Sequence, residues 1–158
     1  MRYFGGEALT REVAPFDFPW ARRLHEEMYE DVWEWAGRFR LKDFNLGGPF
    51  GQVQERLYNL FEDLEHWARQ GMDPVEQAAR LHHRAVEIHP FVNGNGRWAR
   101  MLTNIWLNLQ GAPPVAWPEP SIGDVSPIRD EYIAALRAAD AGEIEPLLRI
   151  HRQFSAES

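Results

Sequence analysis

Cysteine is absent from the 158-residue sequence, and lysine occurs once, at Lys42. Without thiols, the chain can form no disulfide, no thiolate metal site and no cysteine nucleophile. Long apolar runs are missing as well: no stretch reaches the roughly 20 residues of a membrane-spanning helix. No basic segment followed by an apolar one opens the chain as a secretion signal would. We therefore expect a cytoplasmic protein whose chemistry uses nitrogen and oxygen groups.

The composition is that of one globular domain. Hydrophobic residues make up 44% of the chain and include 7 Trp and 9 Phe, enough for a core without cross-links. The net charge of -7 argues against a nucleic-acid partner, because nucleic-acid-binding surfaces are basic. Residues 78–101 differ, since four arginines stand there against one acid. That local excess favours a small anionic ligand, although Arg80 and Arg84 are equally well explained as partners of acids elsewhere.

Apolar residues recur at helical spacing along most of the sequence, and capping residues mark where helices begin. Asp17, Asp73 and Ser126 each stand just before a proline-containing first turn, which predicts three helix starts. The first of these helices is expected to run to Gly37. Residues 38–53 alternate apolar and polar side chains around a Gly-Gly-Pro turn, which predicts a short hairpin. We expect one all-α domain of six to eight helices with this single β-hairpin.

The loop and helix predicted over residues 88–110 carry the candidate chemistry. Pro90 disfavours helical geometry at His89, so the preceding helix should end there. Gly94 and Gly96 allow left-handed backbone angles and the close approach of a ligand. A helix that begins at these glycines presents unpaired amide groups and the positive end of its dipole, both of which favour an anion.

Two arginines and a histidine complete the pattern. Arg97 and Arg100 lie about one helical turn apart, so both guanidinium groups can face one ligand, and guanidinium binds phosphate bidentately. His89 titrates near neutrality and can take a proton from a hydroxyl. These groups together predict transfer of a phosphorus-containing group to a hydroxyl. A zinc site is disfavoured, because His82 and His89 lie about two helical turns apart; we expect His82 and His83 to be one core and one surface histidine.

The twelve residues from His89 to Arg100 resemble the signature of the Fic family, H-P-F-x-(D/E)-G-N-G-R-x-x-R. Every specified position matches except one, where Asn93 replaces the usual acid. Upstream, Trp35, Ala36, Gly37 and Arg40 resemble the W-A-G-x-x-R element that precedes the family's flap hairpin. The branch called mobile mystery protein B is the one that the chain resembles most.

The resemblance implies transfer of AMP from ATP to a side-chain hydroxyl of a target protein, which the flap would hold by strand addition. His89 would be the general base. Asn95 and the amides of Gly94 and Gly96 would hold the α-phosphate. Arg97 would bind the β-phosphate region, and Arg100 the γ-phosphate.

Asn93 is the departure with chemical consequences. The family's acid at this position ligates Mg²⁺ between the α- and β-phosphates, and Mg²⁺ prefers carboxylate oxygen. The amide oxygen of Asn93 could still coordinate the ion but adds no negative charge. We therefore expect weaker binding of Mg-ATP and slower transfer.

Three alternatives stay open at this point. The first is a nucleotide-binding or interaction module that has lost catalysis at Asn93. The second is transfer of UMP or phosphocholine, since the motif does not specify the base. The third, a kinase activity as in Doc-like relatives, is disfavoured because those carry Lys where this chain has Gly96.

Regulation by a partner is a further expectation from the resemblance. Many Fic proteins carry or bind a helix with the pattern (S/T)-x-x-x-E-(G/N), whose Glu pairs with the last arginine of the signature. No such pattern occurs in this sequence. We therefore expect that any Glu of this kind reaches Arg100 from a separate inhibitory protein, as in toxin–antitoxin pairs.

Overall fold

The computed structural model describes residues 3–5 and 8–156 of the chain. Over these residues the fold is almost entirely helical, which confirms the all-α expectation. The seven α-helices, with a 3-10 turn Phe50–Gln52 before the second, are α1 Phe18–Tyr29, α2 Val53–Arg69, α3 Pro74–Ile88, α4 Asn95–Leu109, α5 Glu119–Gly123, α6 Pro127–Asp140 and α7 Glu145–Gln153. None of the helices in this part of the chain has the length and apolar character needed to cross a bilayer.

Side-chain caps begin α1, α3 and α6, as the sequence predicts. Asp17 accepts a hydrogen bond from the amide of Trp20 at 2.9 Å. Ser126 accepts one from the amide of Arg129 at 3.0 Å, and Asp73 is the corresponding cap of α3. Each of these caps satisfies an amide that the helix itself leaves unpaired, a contribution of about 1 kcal/mol.

Helix α3 lies at the centre of the fold and packs against α2, α4, α6 and α7. The main core forms where α1, α2, α3 and α4 meet, and three tryptophans fill it, Trp20, Trp98 and Trp106, each at most 1% exposed. Burial of a large side chain contributes about 1.5–3 kcal/mol, so this core fixes α4 against α1 and α3. The start of α4, which carries the predicted site, is thereby held by the most heavily packed part of the molecule.

The expected continuation of the first helix to Gly37 is wrong, because α1 ends at Tyr29. Residues 30–37 form turns that fold the chain back over α1, and Trp33 stacks on Trp35 with ring centroids 4.5 Å apart. Gly37 has a φ of +79°, and a Cβ there would lie 2.7 Å from the Cβ of Glu26. The glycine is required by this close approach to α1, not by a helix end.

The hairpin expected over residues 38–53 is also not formed, and no strand occurs in the residues that the structure describes. The reason is Arg40, whose side chain is buried. Its guanidinium donates to the carbonyls of His89 at 2.7 Å and Lys42 at 3.0 Å, and also to that of Gly48. Two of these carbonyls, those of Lys42 and Gly48, lie in the predicted hairpin, and Arg40 satisfies them without a strand ladder. The segment is a loop docked on the end of α3.

A second buried polar group lies between α3, α6 and α7. His82 is fully buried, as predicted, and its ring nitrogens lie 2.9 Å from His151 Nε2 and 2.8 Å from the Tyr132 hydroxyl. His83, by contrast, is partly exposed and pairs with Asp140 at 2.8 Å. Burial holds the pKa of His82 well below its ordinary value, and the charges of His151 and Arg100 add to this. Burial also lowers the pKa of His151 to about 3.

These two histidines predict a loss of stability in mild acid. Their pKa in the unfolded chain is the ordinary 6.5, so below that pH the unfolded state binds more protons than the folded state. Stability is therefore complete above about pH 6.5 and falls as the pH drops below it, by up to about 1.4 kcal/mol per pH unit for each histidine. For His151 the loss continues down to its folded pKa of about 3. Urea unfolding at a series of pH values measures this slope.

Two variants serve as controls for that slope. Replacing the exposed Val125 by Ala removes no titratable group and should leave the slope unchanged, whereas His151→Leu should reduce it. A free energy of unfolding that stays constant from about pH 7 to about pH 5 would contradict the account.

Candidate functional site

The loop between α3 and α4 begins with a strained residue. The helix ends at Ile88, as Pro90 predicts, and His89 takes a left-handed conformation with φ 50° and ψ 63°. Such a conformation costs a non-glycine residue about 1–3 kcal/mol and persists only when neighbours enforce it. Arg40 supplies the constraint, because it binds the His89 carbonyl while its own amide donates to the carbonyl of Pro90 at 2.9 Å. The direction of the His89 side chain is therefore set by this constrained backbone conformation.

Helix α4 begins where the glycines predict. Gly94 is its N-cap with a φ of +79°, and the first intrahelical bond runs from the Trp98 amide to the Gly94 carbonyl at 3.0 Å. The amides of Asn95, Gly96 and Arg97 precede that bond, so they are the unpaired donors of the helix start. These amides and the helix dipole favour an anion, and we call this N-terminal turn, residues 94–97, the anion-binding cradle.

Asn95 closes the loop with its side chain. The residue is 4% exposed, its Oδ1 accepts from the Phe91 amide at 2.9 Å, and its Nδ2 donates to the Phe91 carbonyl at 2.9 Å. Phe91 is fully buried and stacks on the ring of His25 at 3.7 Å. Both ends of the Asn95 amide are thus used to shape the loop, and its backbone amide belongs to the cradle.

His25 supports the same loop from α1, a role that sequence reasoning missed. Its Nδ1 accepts from the Gly37 amide at 2.9 Å, so Nε2 carries the proton and donates to the Asn93 carbonyl at 3.0 Å. Burial lowers the pKa of His25, which keeps this neutral tautomer, although the bond to the carbonyl acts in the opposite direction. Nothing in the sequence marks His25, because it and Asn93 are 68 positions apart.

The two arginines of the site differ in their surroundings. The Arg97 side chain is 63% exposed, whereas that of Arg100 is 6% exposed. Glu119 accepts two hydrogen bonds from Arg100, at 2.8 and 2.6 Å, and the Tyr132 hydroxyl accepts a third at 3.1 Å. Burial by itself lowers the pKa of Arg100, but the bonds and charge of Glu119 and the contact with Tyr132 outweigh it and raise the pKa.

Glu119 is a second residue that the sequence does not reveal. It stands between two prolines in α5, outside any (S/T)-x-x-x-E-(G/N) pattern. Nevertheless it binds Arg100 bidentately, and its carboxylate lies 3.9 Å from the Nε of Arg97. The chain itself thus supplies a carboxylate partner for Arg100, and the inhibitory Glu from a separate protein stays a prediction.

One cavity of about 690 Å³ brings the predicted residues together. Its lining includes His89, Asn93, Gly94, Asn95, Gly96, Arg97 and Arg100, which are all the residues that the sequence assigns to the site. Burial lowers the pKa of His89, and the positive charge of Arg40 lowers it further. The imidazole is therefore neutral near pH 7 and able to accept a proton.

Asn93 fits a magnesium ion poorly. Its Oδ1 already accepts from the Gly94 amide at 2.7 Å. The neutral amide also lacks the charge that Mg²⁺ prefers in its ligands.

Comparisons with known proteins give a family and named relatives for this chain. The sequence pattern of the Fic/DOC family matches residues 15–107. Protein adenylyltransferase fic-1 of Caenorhabditis briggsae is 37% identical over 127 residues, which is 78% of this chain and 24% of the relative. Protein adenylyltransferase Fic of Drosophila mojavensis is 36% identical over 118 residues, 72% of this chain and 22% of the relative. The chain thus spans about a quarter of the length of the curated relatives it matches.

Solved structures give the same result for the fold. Fic-1 from C. elegans superposes with a TM-score of 0.79 at 29% identity, covering 97% of this chain and 44% of that one. BepC from Bartonella tribocorum, solved with bound AMPPNP, superposes with a TM-score of 0.66 at 21% identity, covering 90% of this chain and 76% of that one. These comparisons do not assign the chain to the mobile mystery protein B branch. Because the family pattern covers more than half of the sequence, the chain belongs to the Fic/DOC family.

Proposed function

We propose that this domain transfers AMP from ATP to a side-chain hydroxyl of a target protein. The observation that carries the proposal is a neutral His89 that lines the same cavity as residues 95–97, whose amides are unpaired, and as Arg100. Relatives at 36–37% identity are named protein adenylyltransferases, and this supports the choice of AMP as the transferred group. Such chemistry needs ATP and protein targets, which suits a cytoplasmic location.

The proposed reaction balances with groups of this chain. The target hydroxyl oxygen attacks the α-phosphorus of ATP while His89 accepts the hydroxyl proton, and pyrophosphate leaves. The cradle amides stabilise the charge that develops on the α-phosphoryl oxygens, and the exposed Arg97 binds the leaving phosphates. Asn95 acts through its backbone amide and through the loop shape that its side chain maintains. A positioned general base contributes about 10²–10⁴-fold to such a step.

Magnesium would be held mainly by the phosphates of ATP, with the amide oxygen of Asn93 as a protein ligand that is weak because it is uncharged. The ion would neutralise charge between the phosphates.

The target would lie against the loop of residues 38–49, where its backbone could pair with exposed main chain. Leu41 and Leu46 are exposed apolar side chains of that loop, and they offer contact area for a target segment.

A second function is favoured by two observations. Asn93 lacks the carboxylate for the metal, and Glu119 occupies Arg100. Both would allow a nucleotide to bind without efficient transfer, as in a catalytically weakened nucleotide-binding module. A role in a toxin module would require the first function, AMP transfer. In that case the contact between Glu119 and Arg100 would lower the activity of the enzyme even in the absence of an antitoxin.

Replacing His89 by Ala tests the transfer reaction. Incubation of the protein with α-labelled ATP and a cell lysate should give labelled target proteins, and His89→Ala should reduce labelling by about 10²-fold or more, because the general base is lost. The variant His66→Ala, exposed on α2, is the matched control. Equal labelling by His89→Ala would refute the role of His89, and ATP binding without any transfer by the wild type would favour the binding module.

Replacing Asn93 by Asp tests the missing metal ligand. The carboxylate restores the charge that Mg²⁺ prefers, so the variant should label faster than the wild type and gain affinity for ATP in the presence of Mg²⁺. The gain should disappear when EDTA removes the ion. If Asn93→Asp improves neither the rate of labelling nor the affinity for ATP, this position does not limit metal binding.

Replacing Glu119 by Gln tests the competition at Arg100. A γ-phosphate that binds Arg100 must displace a carboxylate held by two charge-assisted bonds, so loss of its charge should tighten ATP binding by about tenfold, equivalent to about 1.4 kcal/mol. Calorimetric titration with ATP measures the change. Glu145→Gln removes an exposed ion pair with Arg152 and should have no effect. Weaker ATP binding by a folded Glu119→Gln protein would contradict the competition.

A further inference from the structure

Tyr29 has a buried hydroxyl that the proposed mechanism leaves unexplained. The residue ends α1 and is 7% exposed. Its hydroxyl is shielded from solvent, and no acceptor for its proton occurs within the described part of the chain. Buried polar groups are nearly always satisfied in folded proteins, and an exception at a cavity is a sign that a partner is missing.

The hydroxyl lies directly at the anion-binding cradle. A Cβ built on Gly94 would lie 2.6 Å from the Tyr29 ring and 3.1 Å from its hydroxyl oxygen, so the ring packs on the N-cap of α4. Tyr29 also lines the cavity that contains Gly96, Arg97 and Arg100. Burial raises the pKa of Tyr29. The positive charges of Arg97 and Arg100 oppose this, the negative charge of Glu119 adds to it, and Arg97 as a nearby donor opposes it again. The net direction is upward, so the phenol stays protonated.

The chemistry of the neighbours defines the missing partner. Guanidinium groups and helix-terminal amides are donors only, so they offer no acceptor for the phenolic proton. The carboxylate of Glu119, whose charge acts on Tyr29, accepts instead from Arg100. A phosphoryl oxygen drawn into the cradle by these same donors is an acceptor, and it would carry the negative charge that strengthens such a bond.

We propose that Tyr29 is a further phosphate-binding residue, whose hydroxyl donates a hydrogen bond to a phosphoryl oxygen of a nucleotide bound at the start of α4. This inference rests on the proposed function and adds a residue from α1 to a site otherwise built by the loop and α4. It also gives a chemical reason for a hydroxyl at a position where a phenyl ring alone would fill the space against Gly94.

Packing is the competing explanation for Tyr29. Its ring lies 4.6 Å from that of Trp33 and 4.9 Å from that of His25, and those contacts need no hydroxyl. The variant Tyr29→Phe separates the two explanations, because it keeps the ring and removes only the oxygen. Without nucleotide, loss of an unpaired buried hydroxyl should leave the melting temperature unchanged or raise it.

The test is calorimetric titration of the wild type, Tyr29→Phe and the control Tyr58→Phe with ATP and with adenosine. Tyr58 is exposed on α2. The phosphate contact predicts that Tyr29→Phe weakens ATP binding by about tenfold or more, leaves adenosine binding unchanged and does not lower the melting temperature, while Tyr58→Phe matches the wild type. The same selective loss should appear for inorganic tripolyphosphate, which lacks the base.

Two results would overturn the inference, and they differ in what else they refute. If the wild type and Tyr29→Phe bind ATP with equal affinity, the hydroxyl does not contact phosphate, and the proposed function is unaffected. Parallel loss of ATP and adenosine binding would assign Tyr29 a structural role only. Failure of the wild type to bind ATP at all would refute the proposed function together with this inference.

Discussion

The site depends on a short loop whose backbone is tied down by three buried polar side chains. Asn95 bonds both the amide and the carbonyl of Phe91, His25 holds the carbonyl of Asn93, and Arg40 holds that of His89. Each bond satisfies a backbone group that would otherwise be unpaired in a buried environment, where a lost partner costs about 1–3 kcal/mol. The loop therefore has one conformation, and that conformation directs the first amides of α4 and the His89 side chain toward a common cavity.

The electrostatics of the cavity contrast with those of the whole chain. The protein carries a net charge of -7, whereas the start of α4 combines a helix dipole with two guanidiniums. Arg97 is exposed and available to an anion, but Arg100 is buried in a bidentate pair with Glu119. A buried arginine needs such a partner, because an uncompensated charge in a poorly solvated place is strongly destabilising. The same ion pair lowers the affinity of Arg100 for a ligand, because the ligand must displace the carboxylate of Glu119 to bind Arg100.

The sequence predicts what is local in this molecule and misses what is long-range. Helix starts at Asp17 and Ser126 and the α4 start at Gly94 follow from caps and glycines within a few residues, and so they are confirmed. The prediction of a hairpin is wrong. The side chain of Arg40 instead bonds this segment to the carbonyl of His89, about fifty positions along the chain. Other contributors to the site, among them His25, Glu119 and Tyr29, act across such separations as well, and no pattern of neighbouring residues marks them.

The central claim is that the start of α4 holds the phosphates of a nucleoside triphosphate beside His89. A crystal structure of the protein with a non-hydrolysable ATP analogue tests it most directly. The account predicts phosphoryl oxygens within hydrogen-bonding distance, about 2.7–3.2 Å, of the amides of residues 95–97, with the His89 ring facing the α-phosphate. A nucleotide whose phosphates lie outside this cavity, or whose base occupies the place of the phosphates at α4, would contradict it.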